Sequence, residues 1–208
     1  MLGAPVLGLL AVVAAIAAAL GYRSLASSLS TAASPRAEVR TVLPPPRAAA
    51  RATRDGALGE ADGAVPAGTT VFDDEVPGVA RLDPALLDAL RRAAVDAAAE
   101  GVRLLVDSGW RSARYQERLL REAVSKYGSQ REAARWVATP TTSAHVSGNA
   151  VDIGHADAAA WLSEHGAGYG LCQIYRNEPW HYELRPRAVE DGCPSMYADP
   201  TDDPRARP

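Results

Sequence analysis

The apolar residues of this chain fall into three patterns. From Met1 to Tyr22 they are continuous, with one early Pro5 and no side chain that carries a full charge. About 20 such residues can cross the hydrocarbon core of a bilayer as a helix. No polar face marks the run as a helix of a soluble domain. It predicts an apolar N-terminal helix over residues 1–22, serving as a signal peptide or membrane anchor. Residues 23–70 have no such pattern; they are rich in Ala, Pro, Ser and Arg and contain Pro44-Pro45-Pro46. Such a stretch buries too little apolar surface to offset its ordering entropy, and predicts a disordered, flexible linker.

Regular spacing then begins. Asp83-Pro84 has the form of a helix N-cap followed by proline at the first helical position. Leu86, Leu87, Leu90, Ala94 and Ala97 follow at helical intervals, and Gly101 supplies a stop. Val102–Val106 reads as a short buried strand ended by Ser108-Gly109. A second helix is predicted from Ala113 to Lys126, with Tyr115, Leu119 and Ala123 inward. Ser129 and Glu132 have capping-box spacing and open a third, carrying Ala133, Ala134, Trp136 and Val137 up to Pro140. A strand is expected around Ala150–Ile153 and a helix over Ala158–Glu164, with Trp161 and Leu162 inward and Gly166 closing it. Two strands, Tyr169–Tyr175 and Trp180–Leu184, follow, joined by a turn at Asn177. Helices early and strands late predict an α+β domain, a small antiparallel sheet flanked by helices and covered on one side.

Composition sharpens the boundaries. Eleven of the twelve aromatic residues lie at Phe72 or beyond, and all four histidines and both cysteines lie past residue 140. The folded domain is therefore expected over 71–200, with 201–208 as a disordered tail. Lys and Arg total 22 against 25 Asp and Glu, a net charge of -3 that argues against a nucleic-acid binder.

Two segments concentrate chemistry: Ser143 to Asp152, and Glu178-Pro179-Trp180-His181. A catalytic zinc site takes a small set of N and O ligands and keeps a position for water. His145, Asp152 and His181 supply that set. Gly148 allows the chain between the first two to fold back. Glu178 lies near enough to serve as base toward a water. His155 and His165, at the two ends of a predicted helix, are left out of the site. Arg111 follows a buried strand and precedes a helix; it can hold an oxyanion or a carboxylate, or form a structural ion pair with an acid such as Asp107. Cys172 and Cys193 frame a loop of about 20 residues, suited to a disulfide in an oxidising compartment.

These residues resemble the zinc D-alanyl-D-alanine carboxypeptidases of the VanY type, peptidase family M15. That family carries Ser-x-His-x-x-Gly-x-Ala-x-Asp followed by Glu-x-Trp-His, and both stand here as Ser143 to Asp152 and Glu178 to His181. The segment Ser108-Gly109-Trp110-Arg111-Ser112, with Tyr115-Gln116 after it, is similar too. The resemblance implies the M15 or Hedgehog-like peptidase fold and one zinc ion on His145, Asp152 and His181. It implies Glu178 as catalytic base and Arg111 as the group that stabilises the reacting carbonyl. Gln116, Ser143 and Trp180 would contact substrate. It also implies a peptidoglycan stem peptide as substrate, hence action outside the cytoplasmic membrane; a monomer is expected, and the charge balance speaks against nucleic acid as a partner. This overrides the basic residues Arg23, Arg36 and Arg40, which follow the apolar run and on their own would favour a cytoplasmic C-terminal side. L,D-carboxypeptidase, D,D-dipeptidase or endopeptidase action on the same wall stays open, as does a non-catalytic zinc-containing wall-binding module.

Overall fold

The computed structural model describes residues 58–206. The apolar segment 1–22 and the linker up to residue 57 lie outside the described residues. Among the described residues no helix is long and apolar enough to cross a membrane.

A short helix α1 (Pro77–Ala80) leads into α2 (Pro84–Ala99). Asp83 caps α2 as its position predicts, its carboxylate accepting the Ala85 and Leu86 N–H groups at 2.9 and 3.2 Å. One face of α2 buries Leu86, Ala89, Leu90, Ala93, Ala94 and Ala97. Strand β1 (Leu105–Ser108) starts later than the apolar run predicts. Val102 is still closing the helix, its N–H donating to Ala97 O at 2.9 Å.

Helix α3 (Ala113–Tyr127) is capped by Ser112 and buries Gln116 and Ala123. Tyr115 and Leu119, expected inward, are only half-buried, because this helix packs beside a cleft that Leu119 lines. Helix α4 (Gln130–Ala134) starts at the predicted Ser129 cap but ends before Trp136 and Val137. Both of those residues donate to the Ala133 carbonyl, which tightens the last turn.

Then come β2 (Ala150–Gly154), α5 (Ala156–His165), β3 (Leu171–Gln173), β4 (His181–Leu184) and α6 (Ala188–Asp191). The strands form one sheet in the order β1-β2-β4-β3, antiparallel throughout. Alternation along the strands separates its two faces. Val151, Ile153, Leu171 and Tyr182 pack with α2 and with Trp161 and Leu162 of α5 in the main core. Asp152, His181 and Glu183 alternate with those residues and take the opposite face.

Both expected domain boundaries need correction. Within the predicted linker, residues 58–70 belong to the domain: Asp62 accepts the Ser112 hydroxyl at 3.0 Å, and Thr69 O accepts the Val106 N–H at 2.8 Å. At the other end, residues 201–206 are not a disordered tail. They continue as 3-10 turns over Pro200–Asp202 and Pro204–Ala206, with Asp203 buried at 1% exposure. The polar composition there misleads because these charges have partners inside the fold.

Candidate metal centre

The sheet itself sets two of the candidate donors side by side. Asp152 on β2 and His181 on β4 are register partners, so both side chains leave the same face of adjacent strands. His145 comes from the loop before β2. That loop turns back at Gly148, where φ is +77° and a Cβ would meet Arg81 O at 2.6 Å. Glycine is required there on both counts. The Gly148 carbonyl also accepts the Asp83 N–H at 2.8 Å, tying the loop to the start of α2.

The three donor atoms form a nearly equilateral triangle. His145 Nε2 is 3.2 Å from His181 Nδ1, His181 Nδ1 is 3.1 Å from Asp152 Oδ1, and His145 Nε2 is 3.3 Å from Asp152 Oδ1. All three residues are buried. Each ring turns its other nitrogen outward to an acceptor: His145 Nδ1 lies 2.8 Å from Gly109 O, and His181 Nε2 lies 3.3 Å from Glu183 Oε1. The inner nitrogens thus face one another and a carboxylate oxygen, an arrangement suited to a shared cation. Around a tetrahedral ion with bonds of about 2.0 Å, ligand atoms stand about 3.3 Å apart, so the donor set fits zinc.

The protonation pattern follows from burial and charge. Burial and the nearby Arg111 cation push the His145 pKa below the usual imidazole range. Burial acts against a proton on His181 as well, but hydrogen bonds to Asp152 and Glu183 push it up to about 9. Burial alone would raise Asp152; its contacts with His145, His181 and Arg111 hold it well below the usual carboxylate range.

Glu178 stands at the edge of this cluster, its Oε2 3.8 Å from His181 Nδ1. Burial pushes its carboxyl up to about 7, and the Asp152 charge adds to the rise while His181 and Arg111 oppose it. That puts a proton-transfer group near neutral pH beside the donors.

Arg111 does not pair with Asp107. Its guanidinium contacts Ser108 Oγ at 2.7 Å, Gln116 Oε1 at 3.2 Å and Asp152 Oδ2 at 2.7 Å. The β1–β2 register slips between Val106 and Ser108, a bulge that puts Ser108 opposite Asp152 and brings Arg111 in behind it. Gln116 lines the cleft, but both ends of its amide are engaged, with Arg111 and with Ala138 O at 2.9 Å. It therefore braces Arg111. Ser143 is buried at the cleft wall and Trp180 is 40% exposed at its side. The cleft encloses about 550 Å³ and runs from the donors past the stacked rings of Tyr127 and Trp136, whose centroids are 5.8 Å apart. His155, which precedes α5 at its N-cap position, and His165, its last residue, do not line the cleft. Cys172 and Cys193 are disulfide-bonded, with 5.6 Å between their Cα atoms.

An α+β domain with a histidine–aspartate–histidine centre and a buried carboxylate at the foot of a cleft defines a class of metal-dependent proteins. Residues 79–187, just over half of the 208-residue chain, match the family described as VanY, D-alanyl-D-alanine carboxypeptidase, and the chain belongs to that family. A D-alanyl-D-alanine carboxypeptidase of Enterococcus faecalis (strain ATCC 700802 / V583) is 34% identical over 128 residues, covering 49% of this chain and 46% of its own. The chain thus spans about half the length of that curated relative. Among solved structures, VanYB in complex with D-alanine-D-alanine is 29% identical, covers 53% of this chain and 74% of its own, and gives a TM-score of 0.49. The LD-carboxypeptidase LdcB is 25% identical, covers 63% and 72%, and gives 0.49. A VanY D,D-pentapeptidase variant from a VanB-type resistance cassette, in complex with Zn(II), is 30% identical, covers 50% and 72%, and gives 0.47.

Proposed function

We propose that this chain is a zinc D-alanyl-D-alanine carboxypeptidase that removes the terminal D-alanine from peptidoglycan stem peptides. The observation that carries the reading is the triangle of His145 Nε2, Asp152 Oδ1 and His181 Nδ1, 3.1–3.3 Å on a side, with Glu178 beside it. Membership of the VanY family supports the substrate class.

His145, Asp152 and His181 would hold the ion, and the zinc, when bound, supplies Lewis acidity toward a carbonyl and a water. Glu178 takes the proton of the attacking water. Its elevated affinity for protons lets it keep that proton long enough to return it to the leaving amine. Arg111 keeps Asp152 ionised and fixed. A guanidinium has more N–H donors than the contacts to Ser108, Gln116 and Asp152 use, and the remainder can steady negative charge growing on the carbonyl oxygen. Ser143 and Trp180 flank the bound peptide, and Gln116 acts through Arg111.

The substrate lies in the cell wall, so the domain works outside the cytoplasmic membrane. The segment 1–22 acts as its anchor or as a cleaved signal, residues 23–57 are the linker, and residues 58–206 are the catalytic unit of a monomer. Mass analysis of the products from a synthetic pentapeptide ending in two D-alanines tests the reading. Zinc-dependent release of single D-alanine is expected. Release of the D-alanyl-D-alanine dipeptide would make the chain a dipeptidase. Binding of wall fragments with no cleavage after zinc is restored would make it a binding module.

A further inference from the structure

A metal-ligating imidazole keeps its direction through the hydrogen bond of its outer nitrogen. For His145 that partner is a backbone carbonyl, Gly109 O. For His181 it is a side chain, Glu183, which is 1% exposed and must itself be paired to stay charged in the interior. Two arginines pair it. Arg185 reaches only Oε2, at 2.8 Å, the oxygen that does not meet His181. Arg205 approaches both, at 2.7 Å from Oε2 and 3.4 Å from Oε1, and so bears on the plane of the carboxylate.

Arg205 belongs to the C-terminal segment that sequence composition assigns to a tail. The chain returns to the sheet at Cys193, bonded to Cys172 of β3, and at Tyr197, which bridges to Tyr175. Asp199 then meets Arg135 at 2.8 Å. Asp203, buried, accepts the Tyr175 hydroxyl at 3.0 Å and the Arg205 Nε–H at 3.0 Å. The Tyr175 ring centroid is 5.1 Å from that of His181. One segment therefore reaches His181 twice, at its outer nitrogen through Glu183 and at its ring face through Tyr175.

We infer that residues 199–206 form a strap that orients His181 toward the metal, with Arg205 and Asp203 as positioning residues outside the family-matched stretch 79–187. The inference rests on the metal reading above. Equilibrium zinc affinity, measured by chelator competition on the full-length chain in detergent, tests it, with the visible spectrum of the Co(II) form as a second readout. Arg205→Ala is expected to weaken zinc binding by about tenfold or more and to alter the Co(II) bands. Arg205→Lys should recover part of the loss. Arg187→Ala, which removes an exposed pair with Asp191, should match the wild type. Wild-type zinc affinity and Co(II) spectrum in a folded Arg205→Ala that merely melts earlier without metal would overturn the strap and leave the metal reading intact. Should Arg205→Ala fail to fold, Glu183→Gln decides: weakened zinc binding supports the strap, and wild-type affinity overturns it. A wild-type chain that binds no zinc removes the metal reading and the strap with it.

Discussion

At the scale of single residues, the site depends on side chains whose neighbours fix their protonation. Glu178 illustrates this. Burial raises its proton affinity to the point where it can accept and return a proton near pH 7. Replacing it with glutamine keeps its shape and removes the proposed base. Glu178→Gln should retain stoichiometric zinc while hydrolysis falls by about a hundredfold to ten-thousandfold, measured as D-alanine release. Normal turnover in that variant would assign the base elsewhere. His145 with Asp152, and Glu178 with His181, are legible in the sequence as two closely spaced pairs, the first with a glycine turn between its members; it is the pairing of β2 with β4 that brings the two pairs together across 29 residues. The partner of Arg111 is not legible. Asp107 is near in sequence, but Asp152, 41 residues on, takes the guanidinium because a bulge in β1 turns the chain toward β2. No local pattern encodes a register slip. The bracing by Gln116 is likewise absent from any local pattern: the family resemblance names it a substrate contact, whereas its amide is bound to Arg111 and, 22 residues on, to Ala138 O.

At the scale of elements, caps and periodicity identify helices well and strand limits poorly. Asp83 and Ser129 each cap the helix that follows them, as their positions in the sequence predict, because a cap is a contact spanning only a few residues. The start of β1 depends instead on where α2 finishes closing and on pairing with Thr70, which sequence reading gave to the linker. The disulfide acts at this scale. It joins β3 to the chain beyond α6 across a sequence separation of 21. Removing a cross-link over such a loop costs about 3 kcal/mol through the added freedom of the unfolded chain. The double variant Cys172→Ser with Cys193→Ser should unfold at correspondingly lower denaturant concentration, and an unchanged midpoint would show that the bond adds nothing to stability.

For the molecule as a whole, the domain is closed at its C-terminal end by two buried carboxylates, Asp199 and Asp203, paired with the half-exposed Arg135 and Arg205. Burial would raise Asp199, but Thr201 and Arg135 hold it low; burial would raise Asp203, but Arg205 and Tyr175 hold it low. A carboxylate with a lowered folded pKa contributes stability that is complete above its unfolded pKa and is lost as pH falls through the folded value. Metal-free protein should therefore lose stability steadily below about pH 4. Asp203→Asn should be less stable at neutral pH yet lose less between about pH 5 and pH 3, as read from denaturant midpoints across that range. An equal acid loss in variant and wild type would remove Asp203 from the account. The sequence concealed this closure because a run such as Thr-Asp-Asp-Pro-Arg has the composition of a solvated tail, and its partners Glu183 and Tyr175 lie 22 and 28 residues away.

The central claim is that one ion is held by two imidazoles and an aspartate. X-ray absorption on the zinc-loaded full-length chain, combined with metal counting, addresses it directly. The account predicts one zinc per chain in a shell of nitrogen and oxygen donors with imidazole scattering and no sulfur, lost when His181 is replaced by alanine. Zinc bound through sulfur, or bound equally well by His181→Ala, would contradict it.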